Sequence, residues 1–387
     1  MGSVQMKTAR SAHAEANQVA EDLLAQLGSF RPKLVTLFAE RQRDQRALNQ
    51  ALRARLPKET RLIGTTSDGE IDNQGMHAGS VVIGAMAGDF EVGIGLGREL
   101  QHDAIKAGTT AIRRACDELG VRQSNLDPKR HLGLVIDDGY QQKKEELLLG
   151  VLEKNQGLVL VGGGAADSNP DLAARSAEIH VDGEVTSNSA MVALFHTTAP
   201  WAALRHHGYS PLGKSLTITK IDDSGYRALE IDGQPAARRY AELLGIGIAD
   251  LDFDKPHGFG AHPTALRVGN EYFIRSPYRP LPDGSIYFVN LLSEDTELEL
   301  MQLGDNPSLT ERFLREELPR RVKNPSAALL FQCGARPWLA AGSGTLPALS
   351  QSFTHAPTAA GMNCNFEIYC GFHINNTLTV LAFGSAL

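Results

Sequence analysis

The stretch GTTSDGEI at residues 64–71 is matched near the other end of the chain by GMNCNFEI at residues 361–368. Both stretches have a glycine six positions before a Glu-Ile pair, Glu70-Ile71 in one and Glu367-Ile368 in the other. Each leads into a strand-like run, SVVIGAMAG at 80–88 and NTLTVLAFG at 376–384. A corner that recurs together with its following strand is typical of a recurring supersecondary unit. The sequence therefore predicts an internal duplication.

The segments around each corner share an order of helix, strand, helix, corner and strand. Apolar residues at helical spacing precede the run LVTLF at 34–38, and Leu48, Leu52 and Leu56 precede the first corner. The order recurs around LGLVI at 132–136 and LVLVGGG at 158–164, and again around ALLFQCG at 328–334. This indicates a third copy around Gly162. The alternative, that common helix and strand alternation produced similar corners by chance, stays open.

Turn residues predict two hairpins. Gly88-Asp89 joins SVVIGAMAG to EVGIGLG at 91–97, and Asp182-Gly183 divides AEIHVDGEVTSNSAMVALF at 177–195 into two strands. With helices alternating between such strands, the sequence predicts an α/β protein with mixed β-sheets covered by helices.

The sequence pattern changes between Thr197 and Asn306, where short apolar runs are interrupted by Pro, Gly and Asp. Gly and Pro cluster in HGYSPLG at 207–213, which favours a domain boundary there. We therefore predict an N-terminal helix within residues 1–30, one region at 31–207 and a second at 208–387. Asn306 followed by Pro307 predicts the start of a further helix.

The composition is that of an ordinary globular protein. The 387 residues include 38 Lys and Arg against 45 Asp and Glu, a formal charge of −7 without a basic block, which argues against nucleic acid as a partner. No apolar run approaches the roughly 20 residues needed to cross a bilayer, and the first residues have no signal-peptide core, so a cytoplasmic location is expected. The four cysteines are too scattered for a disulfide scaffold.

Several motifs resemble those of the FIST family of bacterial signal-transduction sensors, which have an N-terminal and a C-terminal FIST region. The resemblance covers most of residues 31–384. In the first region LVTLF and GTTSDGEI are similar to the family pattern, although Thr65 stands where the family often has cysteine. In the second, the similar segments are PLGKSLTITK at 211–220, EIDGQPAARRYAELLG at 230–245, FQCGAR at 331–336 and GFHINNTLTVLAFG at 371–384.

The resemblance implies two FIST regions with internal duplication and a sensory, non-enzymatic role. Some free-standing FIST proteins resemble nitric-oxide sensors that bind haem and act on a histidine kinase, and this chain carries no kinase or cyclase segment of its own. We therefore expect haem, a diatomic gas and a partner histidine kinase or other signalling protein. The alternative is a small organic ligand such as an amino acid, without haem. Whether identical chains associate stays open.

Haem needs an axial donor, for which histidine is the first choice. His206 and His207 lie at the predicted boundary beside Arg205 and Tyr209, and His373 occupies the position of a histidine in the family's C-terminal motif. These three histidines are the candidate iron ligands. The alternative for the pair is a solvated hinge, and for His373 an imidazole bonded to the backbone.

Four further residues are candidate ligand contacts. Glu70 and Glu367 occupy equivalent corners, where a carboxylate can bind either backbone N–H groups or a ligand amino group. Arg336 can pair with a ligand carboxylate or a propionate, or form a surface ion pair. Cys364 belongs to the second corner.

An enzyme is the third possibility. Cys370 and His373 are the minimum set for a thiol hydrolase, but residues three apart on a strand point to opposite faces, so a turn would have to bring them together. The chain has no zinc or nucleophile-elbow motif, and the triple glycine at Gly162 lacks the Lys-Ser/Thr of a P-loop.

Overall fold

The computed structural model describes residues 2–385 and contains three units of one layout around a common core. Each unit has a leading strand, a helical segment, a parallel strand pair joined by one or two helices, a short hairpin and a last strand. The first unit comprises β1 (Val4–Ser11), α1 (Ala16–Leu27), β2 (Leu34–Glu40), α2 (Gln45–Arg55), β3 (Arg61–Ser67), β4 (Glu70–Asp72), β5 (Gly75–His77) and β6 (Val81–Gly88).

The second unit repeats this order around the triple glycine. It comprises β7 (Glu91–Arg98), α3 (Ala104–Leu119), β8 (His131–Asp138), α4 (Lys144–Leu152), β9 (Val159–Ala165), β10 (Ile179–Val181), β11 (Glu184–Thr186) and β12 (Ser189–His196). A single 3-10 turn, Leu172–Ala174, lies in the long loop between β9 and β10.

The third unit begins with β13 (Trp201–His206) and is then interrupted by a separate sheet. We call this segment the inserted sheet. It comprises β14 (Tyr209–Ile221), β15 (Arg227–Ile231), β16 (Gln234–Pro235), α5 (Ala236–Leu244), β17 (Thr264–Val268), β18 (Glu271–Arg275), β19 (Pro277–Pro280), β20 (Ile286–Phe288) and β21 (Thr296–Leu303).

The third unit resumes with a continuous helical stretch. It comprises α6 (Asn306–Arg312), a π-helical turn (Phe313–Glu317), α7 (Leu318–Arg321), β22 (Pro325–Cys333), α8 (Ala335–Gly342), α9 (Leu346–Ser352), β23 (Ala359–Cys364), β24 (Glu367–Tyr369), β25 (Phe372–Ile374) and β26 (Leu378–Gly384). Asp305, one residue earlier than predicted, caps the stretch by accepting a hydrogen bond from the Ser308 amide at 3.3 Å.

The three units exchange their hairpins in a closed ring. The sheet orders are β1-β6-β2-β3-β10-β11, β7-β12-β8-β9-β24-β25 and β13-β26-β22-β23-β4-β5. In each sheet the parallel pair of one unit is extended by the hairpin of another: the second unit's hairpin joins the first sheet, the third unit's joins the second, and the first unit's joins the third. The predicted third copy is thus present.

Apolar side chains from all three sheets form one central core, which includes Phe38, Phe195, Phe331 and Phe383. Because the sheets are covered on their other face by helices, their strands are apolar on both faces, as LVTLF and LGLVI indicate. The inserted sheet has its own cluster around Tyr240 and Phe259. The prediction of mixed sheets covered by helices is confirmed. No helix within residues 2–385 is long and apolar enough to cross a membrane.

Two local predictions differ from the structure. The hairpin predicted about Gly88-Asp89 does not form, since both edges of β6 are occupied by β1 and β2, and β7 pairs with β12 in another sheet. The N-terminal segment contains the predicted helix, but strand β1 precedes it. In addition, the region 208–387 is not one structural unit, because residues 209–303 form the inserted sheet and β22–β26 complete the core.

Candidate functional site

A cavity of about 550 Å³ lies between the core and the inserted sheet. The carboxyl ends of the parallel strands β3, β8, β9, β22 and β23 open into it, so its floor is built from residues that follow buried strands. The inserted sheet and the helix after β22 form the opposite walls. Its lining includes Asp68, Gly139, Tyr140, Ala166, Arg175, Phe253, Ser276, Tyr278, Tyr287, Cys333, Trp338, Cys364, Asn365, Phe366 and Asn376.

Two opposite charges line this cavity. Burial raises the pKa of the Asp68 carboxyl to about 6, with Arg175 opposing the shift and Asp167 adding to it. Arg175 donates from Nε to the Asn169 carbonyl at 2.7 Å, and it forms no salt bridge with Asp68 or any other acid of residues 2–385. Likewise, no described group donates a hydrogen bond to the Asp68 carboxylate. Both charges are therefore available to a ligand.

Aromatic rings form one wall of the cavity. The Phe253 ring lies 5.3 Å from the Trp338 ring and 5.9 Å from the Tyr278 ring. Trp338 comes from α8 and is 46% exposed, whereas Phe253 belongs to the core of the inserted sheet. Tyr140 also lines the cavity, and its hydroxyl accepts a hydrogen bond from the Asp167 amide at 2.9 Å. Apolar rings beside two charges are typical of a small-molecule site.

Two thiols and a carboxylate form part of the cavity floor and the layer beneath it. Cys333 and Cys364 line the cavity and face each other in register at the ends of β22 and β23. The Cys364 sulfur donates a hydrogen bond to Glu367 Oε1 at 3.3 Å. Burial raises the pKa of Glu367 and of both thiols.

The two Glu-Ile corners have the same internal bonding. Glu70 accepts hydrogen bonds from the Ser67 hydroxyl at 2.6 Å and from the Ser80 hydroxyl at 2.6 Å and amide at 3.1 Å. Glu367 has the same contacts from Cys364 and from the Thr377 hydroxyl at 2.5 Å and amide at 3.1 Å. Each carboxylate thus joins the start of its hairpin to the start of the following strand.

The second unit lacks this carboxylate. Its hairpin starts at Ile179, which takes the place that Glu70 and Glu367 have in the other two units. All three residues pair with equivalent positions of the neighbouring strand. Ser189, ten residues later like Ser80 and Thr377, is fully buried and its hydroxyl has no hydrogen-bond partner. Neither Glu70 nor Glu367 lines the cavity. Their ligand-binding role stays a prediction, and this bonding supports the structural alternative.

None of the three candidate iron ligands lines the cavity. His206 stacks on Phe313 with ring centres 5.0 Å apart, and burial holds its pKa well below the usual range. The His207 Nδ1 accepts a hydrogen bond from the Tyr209 amide at 3.3 Å, and burial lowers its pKa to about 4. Both are therefore half-buried, neutral imidazoles. Because His206 ends β13 and His207 directly follows it, the pair does not form a solvated hinge.

His373 is fixed by two side chains. Its Nδ1 lies 2.7 Å from Glu145 Oε1, and its Nε2 lies 3.3 Å from Asn375 Nδ2. With both ring nitrogens engaged, neither is paired with the thiol of Cys370, which is exposed in the turn between β24 and β25. The geometry gives no support to a hydrolase built on these two residues.

The remaining candidates have local partners. Arg205 donates to the Tyr272 carbonyl at 2.6 Å and to Glu271 at 2.7 Å, and it lies over the Phe273 ring. The Tyr209 hydroxyl donates to the Gly260 carbonyl at 2.9 Å. Arg336 is 1% exposed, so it is not a surface residue, and it donates to Asn306 at 2.8 Å and Thr310 at 2.6 Å.

The described residues do not fit an imidazole-ligated haem in this cavity. Its lining contains no histidine, and burial raises the pKa of its two thiols and so keeps them protonated. Within residues 2–385 no three His, Cys, Asp or Glu side chains are placed to hold a metal ion.

Of the residues nominated from the sequence, Cys364 alone is in the lining given above. Asp68, Arg175, Cys333 and Trp338 were missed. Asp68 and Cys333 carried a usable signal, since each ends or directly follows a buried strand at a recurring corner. Arg175 carried none, because it reaches the cavity from a long polar loop.

Comparison with known proteins adds the family. Residues 33–234 match the FIST N domain and residues 236–370 match the FIST C domain. No curated protein matches the chain. Among solved structures, cyanuric acid hydrolase from A. caulinodans is similar over 99% of this chain and 100% of that one, with 10% identity and a TM-score of 0.35. PurLQS from Thermotoga maritima covers 100% of this chain and 73% of its own, with 13% identity and a TM-score of 0.19. Similarity this low supports no conclusion about the present chain.

Proposed function

The chain belongs to the FIST family, whose domains are signal-transduction sensors that bind small ligands, and we propose that its ligand is a small zwitterionic organic molecule. The site is the cavity between the core and the inserted sheet. The observation that carries this proposal is the pair of opposite charges, Asp68 and Arg175, which line one cavity and form no salt bridge with any residue of the described chain.

The charges set the polar part of the ligand. A carboxylate binds well to the planar guanidinium of Arg175, and an ammonium group binds to the ionised Asp68. Because Asp68 lacks a hydrogen-bond donor and is partly desolvated, a ligand cation would replace hydration that the fold has removed. An α-amino acid has both groups on adjacent atoms.

The aromatic wall sets the apolar part of the ligand. Phe253, Tyr278 and Trp338 offer ring faces to an apolar or aromatic side chain, and a volume of about 550 Å³ holds a molecule larger than a simple amino acid backbone. We therefore expect an apolar substituent on the zwitterion.

Signalling would follow from the position of the cavity. A ligand that contacts both the floor and the inserted sheet favours the arrangement in which these two parts are packed as described. A partner protein that binds one arrangement better than the other would then respond to the ligand. This requires no covalent step, in line with a sensory, non-enzymatic role.

Calorimetric titration tests this proposal with L-phenylalanine as the first probe. N-acetyl-L-phenylalanine and L-phenylalanine amide each lack one of the two charges and are expected to bind at least tenfold more weakly. Affinity for the zwitterion should rise as the pH increases through about 6, because Asp68 must lose its proton to attract the ammonium group. Asp68→Asn should remove that pH dependence, and Arg175→Gln should weaken binding.

Asp117→Asn and Arg113→Gln are matched controls, since this exposed pair lies on α3 outside the cavity lining. Both should bind like the parent protein. If apolar and aromatic α-amino acids give no heat and no thermal stabilisation, or if the control changes weaken binding as much as the cavity changes, the proposal is wrong.

The finer predictions from the resemblance stay predictions. Haem uptake would give a Soret band that moves on exposure to nitric oxide, and a preparation that stays colourless with haemin would reject it. The histidine-kinase partner and the cytoplasmic location likewise await direct measurement.

A further inference from the structure

The two thiols on the cavity floor are placed as a pair. Cys333 ends β22, Cys364 ends β23, and the two residues are direct partners in a parallel register. Residues in register on neighbouring strands project from the same face of the sheet. Both residues line the cavity, and both are only 2% exposed.

The spacing of the pair suits a disulfide. Neighbouring strands lie about 4.7–4.9 Å apart, inside the roughly 4.4–6.8 Å that separates the Cα atoms of bonded cysteines. The Cys364 sulfur donates to the Glu367 carboxylate at 3.3 Å. Burial and the nearby Glu367 charge together raise the pKa of the Cys333 thiol, so this carboxylate is close to both thiols.

We propose that Cys333 and Cys364 are a redox site, which a hydroperoxide entering through the cavity oxidises to an intramolecular disulfide. The disulfide changes the cavity floor and so alters ligand binding. That second effect rests on the function proposed above, whereas the oxidation itself does not.

The carboxylate beneath the pair supplies the proton acceptor. Glu367 takes the Cys364 proton, and the thiolate attacks one peroxide oxygen, so that an S–O bond forms, the O–O bond breaks and the leaving oxygen is protonated to water or alcohol. The Cys333 sulfur then attacks Cys364 Sγ, and the S–S bond forms. The proton of the Cys333 thiol and the hydroxyl group of the sulfenic acid leave together as water. Two thiols are oxidised and one hydroperoxide is reduced.

Burial makes this carboxylate necessary. Both thiols are held protonated by burial, and a thiol is a poor nucleophile without loss of its proton. After oxidation Glu367 loses the S–H donor of Cys364 and keeps the hydroxyl and amide donors of Thr377. The floor then presents a rigid disulfide in place of two thiols, and the carboxylate beneath it has lost a donor.

Thiol mapping of the full-length protein tests the oxidation without any ligand. The protein is treated with hydrogen peroxide, unfolded, alkylated and digested with chymotrypsin, which cuts after Trp338 and Phe366. Trypsin is unsuitable, because Arg336 precedes Pro337 and no Lys or Arg follows it. We expect a cross-linked pair of peptides containing Cys333 and Cys364, which dithiothreitol separates, while Cys116 and Cys370 remain alkylated.

Cys370→Ser is the matched control, since it removes the exposed thiol and should leave the cross-link unchanged. Cys333→Ser should abolish it. If Cys333 and Cys364 both remain alkylated in the parent protein under conditions that oxidise Cys370, or if Cys370 is the residue cross-linked, the redox site is wrong, whether or not the serine variant folds.

The effect on the cavity is measured separately. L-Phenylalanine is titrated into reduced and oxidised Cys370→Ser protein, and a change in affinity of at least threefold is expected. Equal affinities would reject the effect on binding and leave the mapped disulfide standing. Absence of binding to the reduced protein would reject the ligand proposal, and the mapping result would still decide the redox site.

Discussion

At the scale of single residues, the Glu-Ile corners mark the repeated unit and also hold neighbouring segments together through hydrogen bonds. In two units a carboxylate receives three hydrogen bonds from the ends of neighbouring segments, and burial raises the pKa of both carboxyls. A buried charge is tolerated only where such donors replace water. The second unit avoids that cost with Ile179, and leaves the hydroxyl of Ser189 unpaired.

This difference predicts opposite responses to one substitution. Ser80→Ala removes a charge-assisted donor from Glu70, so the free energy of unfolding at neutral pH should fall by about 1–3 kcal/mol. Ser189→Ala removes a buried hydroxyl that has no partner, so stability should stay within about 0.5 kcal/mol or increase. Denaturant unfolding of the two variants beside the parent protein measures both. If Ser189→Ala lowered the free energy of unfolding as much as Ser80→Ala, the stabilising role assigned to the Glu70 hydrogen bonds would be contradicted.

The sequence predicted the corners themselves and their relationship. It could not predict the partners of Glu70, because Ser67 and Ser80 meet it only after the hairpin has turned. Nor could it place Asp68 in the cavity, since that position depends on the inserted sheet covering the strand ends.

At the scale of elements, the triple glycine of β9 allows close packing. A Cβ atom on Gly164 would lie 2.5 Å from the Asn365 carbonyl oxygen and 2.8 Å from the Gly139 Cα, and one on Gly163 would lie 2.8 Å from the Cys364 sulfur. The glycines thus let the third unit's corner and hairpin approach β9. The phosphate-binding alternative is not needed to explain them.

Gly164→Ala is therefore expected to lower the free energy of unfolding by about 1–3 kcal/mol through overpacking against backbone atoms. Gly183→Ala is the matched control, because it lies in the β10–β11 turn with nothing within 4 Å of the added methyl group. It should be neutral or stabilise by less than about 1 kcal/mol. Thermal unfolding of both variants distinguishes packing from a general cost of replacing glycine.

Most elements could be read from apolar periodicity, but their pairing could not. Gly88-Asp89 has the residues of a good hairpin turn, yet β6 pairs with β1 on one edge and with β2 on the other. The strand β1 could not be predicted, because it lies in a polar segment without a clear strand pattern. The long-range pairing of the strands therefore outweighed the local preference of these two residues for a hairpin turn. Register in the exchanged hairpins is similarly set by strands more than a hundred residues away.

At the scale of the whole molecule, the exchange of hairpins makes the core one cooperative unit. The first unit's hairpin pairs with β23, and β9 receives the third unit's hairpin. A chain cut at the predicted boundary after residue 207 separates both pairs. The inserted sheet differs, because its cluster is built from its own residues with only a few partly buried side chains from α8 packed against it.

Fragments of the chain test this cooperativity. We expect residues 1–207 alone to lack a folded core and to associate through the unpaired edge of β9, since an open strand edge is a site of aggregation. Residues 209–303 alone should keep a dispersed amide spectrum and a thermal transition. Mixing residues 1–207 with 208–387 during refolding should restore near-UV circular dichroism, because all three sheets then regain their hairpins. Heteronuclear NMR of each fragment tests these expectations. If residues 1–207 are monomeric and give a dispersed spectrum, the first two units are stable by their own packing. The exchange of hairpins would then not be what holds the core together.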